Sequence, residues 1–504
     1  MAEYNNVSLK VLVNKKTNKV IFAEAGKDFV DALFSFLTFP LGTIARLVQN
    51  KESELGPVEV GCLNSLYRSV ANLDRQCFSA DACKEMLLRP RNLSADYCKT
   101  MKLNIDDTQS PIYYMCQSSS CTHPLLTTFA NQKCDCGSSL SRSVYLKNRY
   151  AYNGFTYDGL AFIITDDLNV KPNSMHTSFA LFQDFGIQDL SSIEELNVNV
   201  TRKKVIDLLK CSLLSKSTLT DFFLVKKPYL ENSCFLPWAI GNISGTSSIQ
   251  IRVKLVMKKS DGKILFAQGE GDFADFVISF LAIPLGGIVS MLGGNSSIGC
   301  FDGLYKSINS FDEKYLMSGT ESGFKWRLTK PSLAPHFNLS KQMFPVYRTP
   351  APQFYCYYKR CPEQDCIIKW TLSIADFQHD VKGETCEPVR WVDPKFSTYV
   401  KGPAMFMVTD DLVVAPTSPV SGMSLLNRLK VTNLSDVKEK DVTIGIKEVS
   451  KFPESSSCFL CVCFETYAKL LVLQGLSILR ASLTSKAALT NGLAHLLTAV
   501  KEEI

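Results

Sequence analysis

Two pairs of cysteines in the first third of the chain carry the clearest chemistry: Cys116 with Cys121, then Cys134 with Cys136, followed by Gly137. Thiolates are the soft ligands that select zinc, and four of them from two short loops can enclose a tetrahedral ion. Gly137 permits the turn that aims the sulfurs inward. The loop Thr122–Lys133 between the pairs has a length usual in structural zinc sites, although two-residue gaps within each pair are commoner. A closed shell of four thiolates leaves no open coordination position, so a zinc here is structural rather than catalytic. The competing reading is a set of buried free thiols. A weaker set follows in Cys361, Cys366, Glu384 and Cys386, where a carboxylate stands in the slot of Cys134.

Other patterns invite chemistry and lose it on context. The twin motifs Thr165-Asp166-Asp167-Leu168 and Thr409-Asp410-Asp411-Leu412 pair carboxylates, but adjacent side chains in extended backbone point to opposite faces. Apolar runs flank each motif and a proline closes it. A turn between strands, with Asp side chains bonding local amides, is the expected structure. Gly269-Glu270-Gly271-Asp272-Phe273-Ala274 matches the dinucleotide fingerprint, yet Asp272 would repel a pyrophosphate, and the strand before it belongs to a hairpin. The five histidines share no equivalent positions in the repeat described below, and no nucleophile elbow, phosphate loop or zinc-protease motif occurs.

The elements that must position these groups are organised by duplication. Residues 9–48 align without a gap on residues 253–292, at an offset of 244. Shared positions include Phe22/Phe266, Asp28/Asp272, Asp31/Asp275 and Pro40/Pro284. Three further blocks repeat in the same order: Gly61–Asp74 on Gly299–Asp312, Ala161–Ser174 on Met405–Ser418, and Leu208–Thr220 on Ile478–Thr490. Each copy opens with two alternating strands around a polar turn, which predicts a hairpin. A helix follows, capped by Asp28 or Asp272 and broken at Pro40 or Pro284. A helix over Cys62–Leu73, several short strands and a closing helix near Arg202–Leu214 complete the unit. Strands and helices do not alternate strictly, so the fold class is α+β. Two tandem homologous modules are expected, 1–225 and 250–504, each a hairpin plus short strands packed with about three helices around an interior of its own. Residues 226–249, rich in proline and glycine, form the expected linker.

The four ordered blocks resemble the plant domain-of-unknown-function family 674 over nearly the whole chain. That resemblance implies a plant protein and no established activity. From Val205/Gly475 onward the offset becomes 270, so the second copy carries the extra segment Val449–Gln474. It opens with Val-Ser and closes with Gln, which GTA-AGT and CAG encode, the consensus ends of a plant intron. A translated intron is the reading taken here, against a genuine loop insertion, and it removes Cys458, Cys461 and Cys463 as metal ligands.

The totals limit function. A length of 504 residues calls for at least two domains. A net charge of +6 without a block of like charges is no nucleic-acid signature. The polar stretch Met1–Lys10 has no signal-peptide core, so cytosol or nucleus is expected, with the 18 cysteines as free thiols or metal ligands. Phe276–Gly294 is uncharged, but Pro284 and the following glycines favour a buried, broken helix over membrane contact. The leading functional expectation is a non-enzymatic interaction or regulatory scaffold with a protein partner. An enzyme with its site between the modules and a peripheral membrane protein are the alternatives.

Overall fold

The computed structural model describes residues 6–494, apart from 110, 119–120, 122, 124, 145, 148–152, 225–249, 318–322, 331, 334–343, 345–346, 349–353, 360–370, 376–383, 395, 430, 432 and 446–473. The linker and most of the extra segment thus lie outside the described residues. The fold is mixed α+β, as the unequal spacing of strand and helix signals predicts.

The opening hairpin pairs Val7–Asn14 with Lys19–Gly26, and alternate residues of its first strand are buried. It sits inside a five-stranded antiparallel sheet whose order is Ile193–Val200, Val7–Asn14, Lys19–Gly26, Ala161–Thr165, Val170–Pro172. A second sheet runs Val437–Gly445, Gln250–Lys258, Ile264–Gly269, Phe406–Thr409, Val414–Pro416. The strand order is the same, and both hairpins slip register at equivalent places, after Leu12 and after Val256.

Each hairpin leads into a buried apolar helix. Lys27–Thr38 ends before Pro40, which begins the next helix, Leu41–Val48. The counterpart breaks into Gly271–Ile278, a tight turn Ser279–Ala282, and Leu285–Met291. Among the described residues no helix is long and apolar enough to cross a membrane. One detail departs from expectation. Asp28 and Asp272 do not cap these helices, because the cap positions fall two residues earlier, at Gly26 and Glu270; Asp28 lies in the first turn and pairs with Lys102 at 2.6 Å.

The interior corrects the larger expectation of two separate cores. Buried apolar residues from both halves, from Val7 through Leu493, form one continuous cluster. The cause is a reciprocal exchange. The Cys62 amide of the first half donates to Ser482 O at 2.7 Å, while the Cys300 amide of the second donates to Ser212 O at 3.0 Å. Ser69 Oγ accepts from Val414 N at 2.7 Å, and Ser307 Oγ accepts from Val170 N at 2.8 Å. At the centre, Leu41 N donates to Ile283 O and Leu285 N to Phe39 O, both at 3.0 Å. These paired contacts relate the halves by an approximate two-fold axis through Pro40 and Pro284.

Candidate metal centre and buried polar clamps

A small three-stranded sheet, ordered Tyr113–Cys116, Ser139–Val144, Gln132–Lys133, brings Cys116 beside the turn that carries Cys134 and Cys136. The turn closes with Cys134 N donating to Ser138 O at 2.8 Å and Gly137 N to Cys134 O at 2.9 Å. Gly137 sits at φ +85°, a left-handed backbone that favours glycine. Cys116 and Cys136 sulfurs lie 3.5 Å apart, as do those of Cys121 and Cys134. All four sulfurs fall within 4.8 Å of one another. A tetrahedral zinc with Zn–S bonds of about 2.3 Å separates its sulfurs by about 3.8 Å, so the arrangement fits that ion. Hydrogen bonds from the Ser138 backbone and side chain draw the exposed Cys136 thiol down to about 6, while burial pushes Cys116 up to about 12.

The lobe is tied to the second half of the chain. Leu125–Leu126, from the loop between the cysteine pairs, runs parallel to Arg390–Trp391 at the edge of the strand Glu384–Trp391. Asp393 accepts from Thr127 Oγ1, Thr128 N and Thr128 Oγ1 at 2.8, 2.6 and 2.7 Å. Asp135, between Cys134 and Cys136, forms an ion pair with Arg390. Ligation by Cys121 and Cys134 would therefore fix both ends of a loop that the second half grips in its middle. Of the weaker set, Cys361 and Cys366 lie outside the described residues, and Glu384 and Cys386 lie on the strand Glu384–Trp391. Cys458, Cys461 and Cys463 are outside the described residues as well.

The twin Asp-Asp motifs form the expected turns, with Leu168 and Leu412 at φ +60° and +63°. Their carboxylates diverge, and only the second of each pair bonds locally. Asp166 instead accepts from Thr220 N and Oγ1, both at 2.7 Å, and Asp410 accepts from Thr490 N and Oγ1, both at 2.8 Å. Each clamps the element after the closing helix of its own half. Gly269 of the dinucleotide-like motif is needed for packing, since a Cβ there would meet Phe273 Cβ at 2.7 Å.

The buried pair Lys27–Asp31 is a polar site that residue spacing alone does not mark. Its Nζ–Oδ2 distance is 2.6 Å, and Lys27 also donates to Thr156 O at 2.6 Å and to Asn153 O. Asp31 accepts from Phe155 N, Thr156 N and Thr156 Oγ1 at 3.0, 2.9 and 2.9 Å. Asp275 repeats the clamp on Tyr399 N and Val400 N, both at 2.9 Å. A charged residue repeated inside an apolar helix was the available signal. Burial pushes the Asp31 carboxyl up to about 6, against the opposing pull of Lys27 and the amide and hydroxyl donors. Because that exceeds the value of 3.8 for a free carboxyl, the folded chain binds this proton first. The contribution of Asp31 to stability therefore rises as pH falls from about 6 to about 4. The double variant Lys27→Met, Asp31→Leu is expected to lose that component of the pH slope in urea titrations. Asp31→Ala alone is expected to cost about 3–5 kcal/mol by stranding a buried ammonium.

A family described as "Protein of unknown function (DUF674)" matches residues 3–447. The chain belongs to this family. The matched span contains both cysteine pairs and both sheets, and it stops just before the extra segment Val449–Gln474. No curated protein and no solved structure matches the chain.

Proposed function

We propose that this chain is a non-enzymatic interaction or regulatory scaffold of the plant cytosol or nucleus, with a structural zinc holding its cysteine lobe to the rest of the molecule. We read its halves as tandem copies, in line with the matching strand orders. The observation that carries the scaffold reading is a set of exposed apolar side chains recurring at the repeat spacing: Phe179 and Met423, Phe185 and Leu429, Leu190 and Leu434. They lie on, or just after, the helices Met175–Asp184 and Pro419–Arg428. Those helices need little of this surface for packing. Leu181 alone of the first helix is fully buried, against Ile21, Phe22 and Ile163, and Leu425 alone of the second, against Leu265, Phe266 and Met407. Phe179 at 54% and Met423 at 52% exposure are thus left to water in both halves, which supports a surface kept for a partner. The carboxyls whose pKa burial raises, Asp31, Asp166 and Asp410, are engaged by backbone amides and threonine hydroxyls, which makes them structural clamps.

The test is the native size of the chain in plant extract. The wild type is expected to elute in an assembly well above its own 56.1 kDa. The variant Phe179→Asp, Met423→Asp is expected to elute at that mass. Wild-type chain eluting alone would overturn the scaffold reading.

A further inference from the structure

We infer a second binding site, beside the four cysteines and sharing the Thr128–Phe129 stretch of their loop, for a small organic phosphomonoester with an aromatic or similarly flat apolar group. It is a cavity of about 340 Å³ in the first half, near the lower end of the range for small-molecule sites. Arg46, Arg89 and Arg91 line it, with Asp107 and Glu85 as the acidic members. Arg46 is already spent: its Nε donates to Asp107 at 2.8 Å, a second nitrogen to the same carboxylate, and a third to Leu88 O at 2.7 Å. Glu85 faces Arg75 at 3.6 Å. Arg89 makes no ion pair among the described residues, and Arg91 reaches only the Tyr113 hydroxyl, at 3.4 Å. Two guanidinium forks with donors to spare therefore face one cavity, the geometry that recognises a phosphate or carboxylate through paired hydrogen bonds. Met86, Pro90, Pro111 and Phe129 supply apolar wall beside them.

The walls are held in place before any ligand arrives. Pro90, between the two arginines, is buried against the helix Leu41–Val48, where Gly42 leaves room; a Cβ there would meet Leu87 O at 2.7 Å and Pro90 Cδ at 3.0 Å. Asn92 donates to Asp106 Oδ2 at 2.8 Å, and Asp106 accepts from Thr108 N at 2.9 Å, so the arginine segment and the Asp107 loop are one unit. The third wall, Thr128 and Phe129, is anchored by Asp393. A wall held in place in advance loses little freedom on binding, which favours affinity for a small anion. Duplication accounts for Arg89 alone: counted from the matching contacts of Leu87 and Leu328, its repeat equivalent is the cation Lys330, whereas Arg91 has Ser332 and Arg46 has Ser290.

Calorimetric titration of the full chain at constant ionic strength tests the site, with phenyl phosphate, inorganic phosphate and phenol as probes. Phenyl phosphate is expected to bind with Kd below about 1 mM, and inorganic phosphate and phenol at least about fivefold more weakly. Arg89→Gln and Arg91→Gln are each expected to weaken phenyl phosphate about tenfold, with unchanged melting. Arg68→Gln, at an exposed pair with Glu59, is expected to leave binding as it is. Absence of phenyl phosphate binding up to about 10 mM, or equal binding by the Arg89 and Arg91 variants, would overturn the site. Equal affinity for inorganic phosphate would overturn the ligand class.

Discussion

Replacing Cys134 or Cys136 with serine is expected to remove bound zinc and to unfold one lobe while leaving the main core intact. Structural zinc sites supply on the order of 10 kcal/mol to the segments they fold, and loss of one thiolate forfeits most of it. Among the described residues, the lobe's other support is the polar grip of Asp393 and Arg390 and modest apolar packing. Its apolar clusters are small, one of Tyr113, Met115, Leu126, Val144, Phe354 and Cys356 and another of Cys116, Leu125, Cys134 and Leu140. The core that joins the two halves is a far larger assembly of buried side chains. Hydrogen exchange gives the readout. In the variants, amides of Tyr113–Cys116 and Ser139–Val144 are expected to exchange freely, and Val392 N is expected to lose the protection it gains from Leu126 O. Amides of Val7–Asn14 are expected to stay protected. Unchanged exchange across the lobe would mean that the four cysteines pack as thiols and carry no metal.

Gly299→Ala is expected to destabilise the whole molecule by about 3–5 kcal/mol, and Gly61→Ala by a similar but smaller amount. Gly299 sits at φ +48°, where an L side chain costs about 1–2 kcal/mol. A Cβ there would lie 1.8 Å from Ser212 O, the acceptor of the Cys300 amide, so the contact between the halves must open. Gly61, at φ +49°, would place its Cβ 2.5 Å from Ser482 O. Gly262→Ala is the matched control. It has φ +72° but no atom within 4 Å, so only the backbone term applies, about 1 kcal/mol. Urea midpoints of the three variants separate the two effects. If Gly299→Ala costs no more than Gly262→Ala, the reciprocal packing of the halves is wrong.

The sequence made the local elements readable because their signals are local. Alternation in Val7–Asn14, the break at Pro40 and the periodic helix Arg202–Leu214 all appear where the residues place them. The first cysteine set was readable for a related reason: two loops joined by a short excursion fold back on each other in one small sheet. What escaped depends on contacts between distant segments. Repeat alignment says that Gly61 and Gly299 are equivalent, but not that each packs on the other half, so it predicts two interiors where the fold has one. Asp166 and Asp410 read as local turn formers because nothing in their neighbourhood names Thr220 or Thr490 as the donors they accept from. Arg46, Arg89, Arg91 and Phe129 are scattered over more than one element and carry no shared spacing, so only the folded chain assembles them.

Element analysis of the purified full-length protein tests the central claim most directly. The account expects about one zinc per chain in the wild type and background levels in Cys134→Ser and Cys136→Ser, with the chain still folded. Folded wild-type protein that carries no metal after growth with zinc would contradict it.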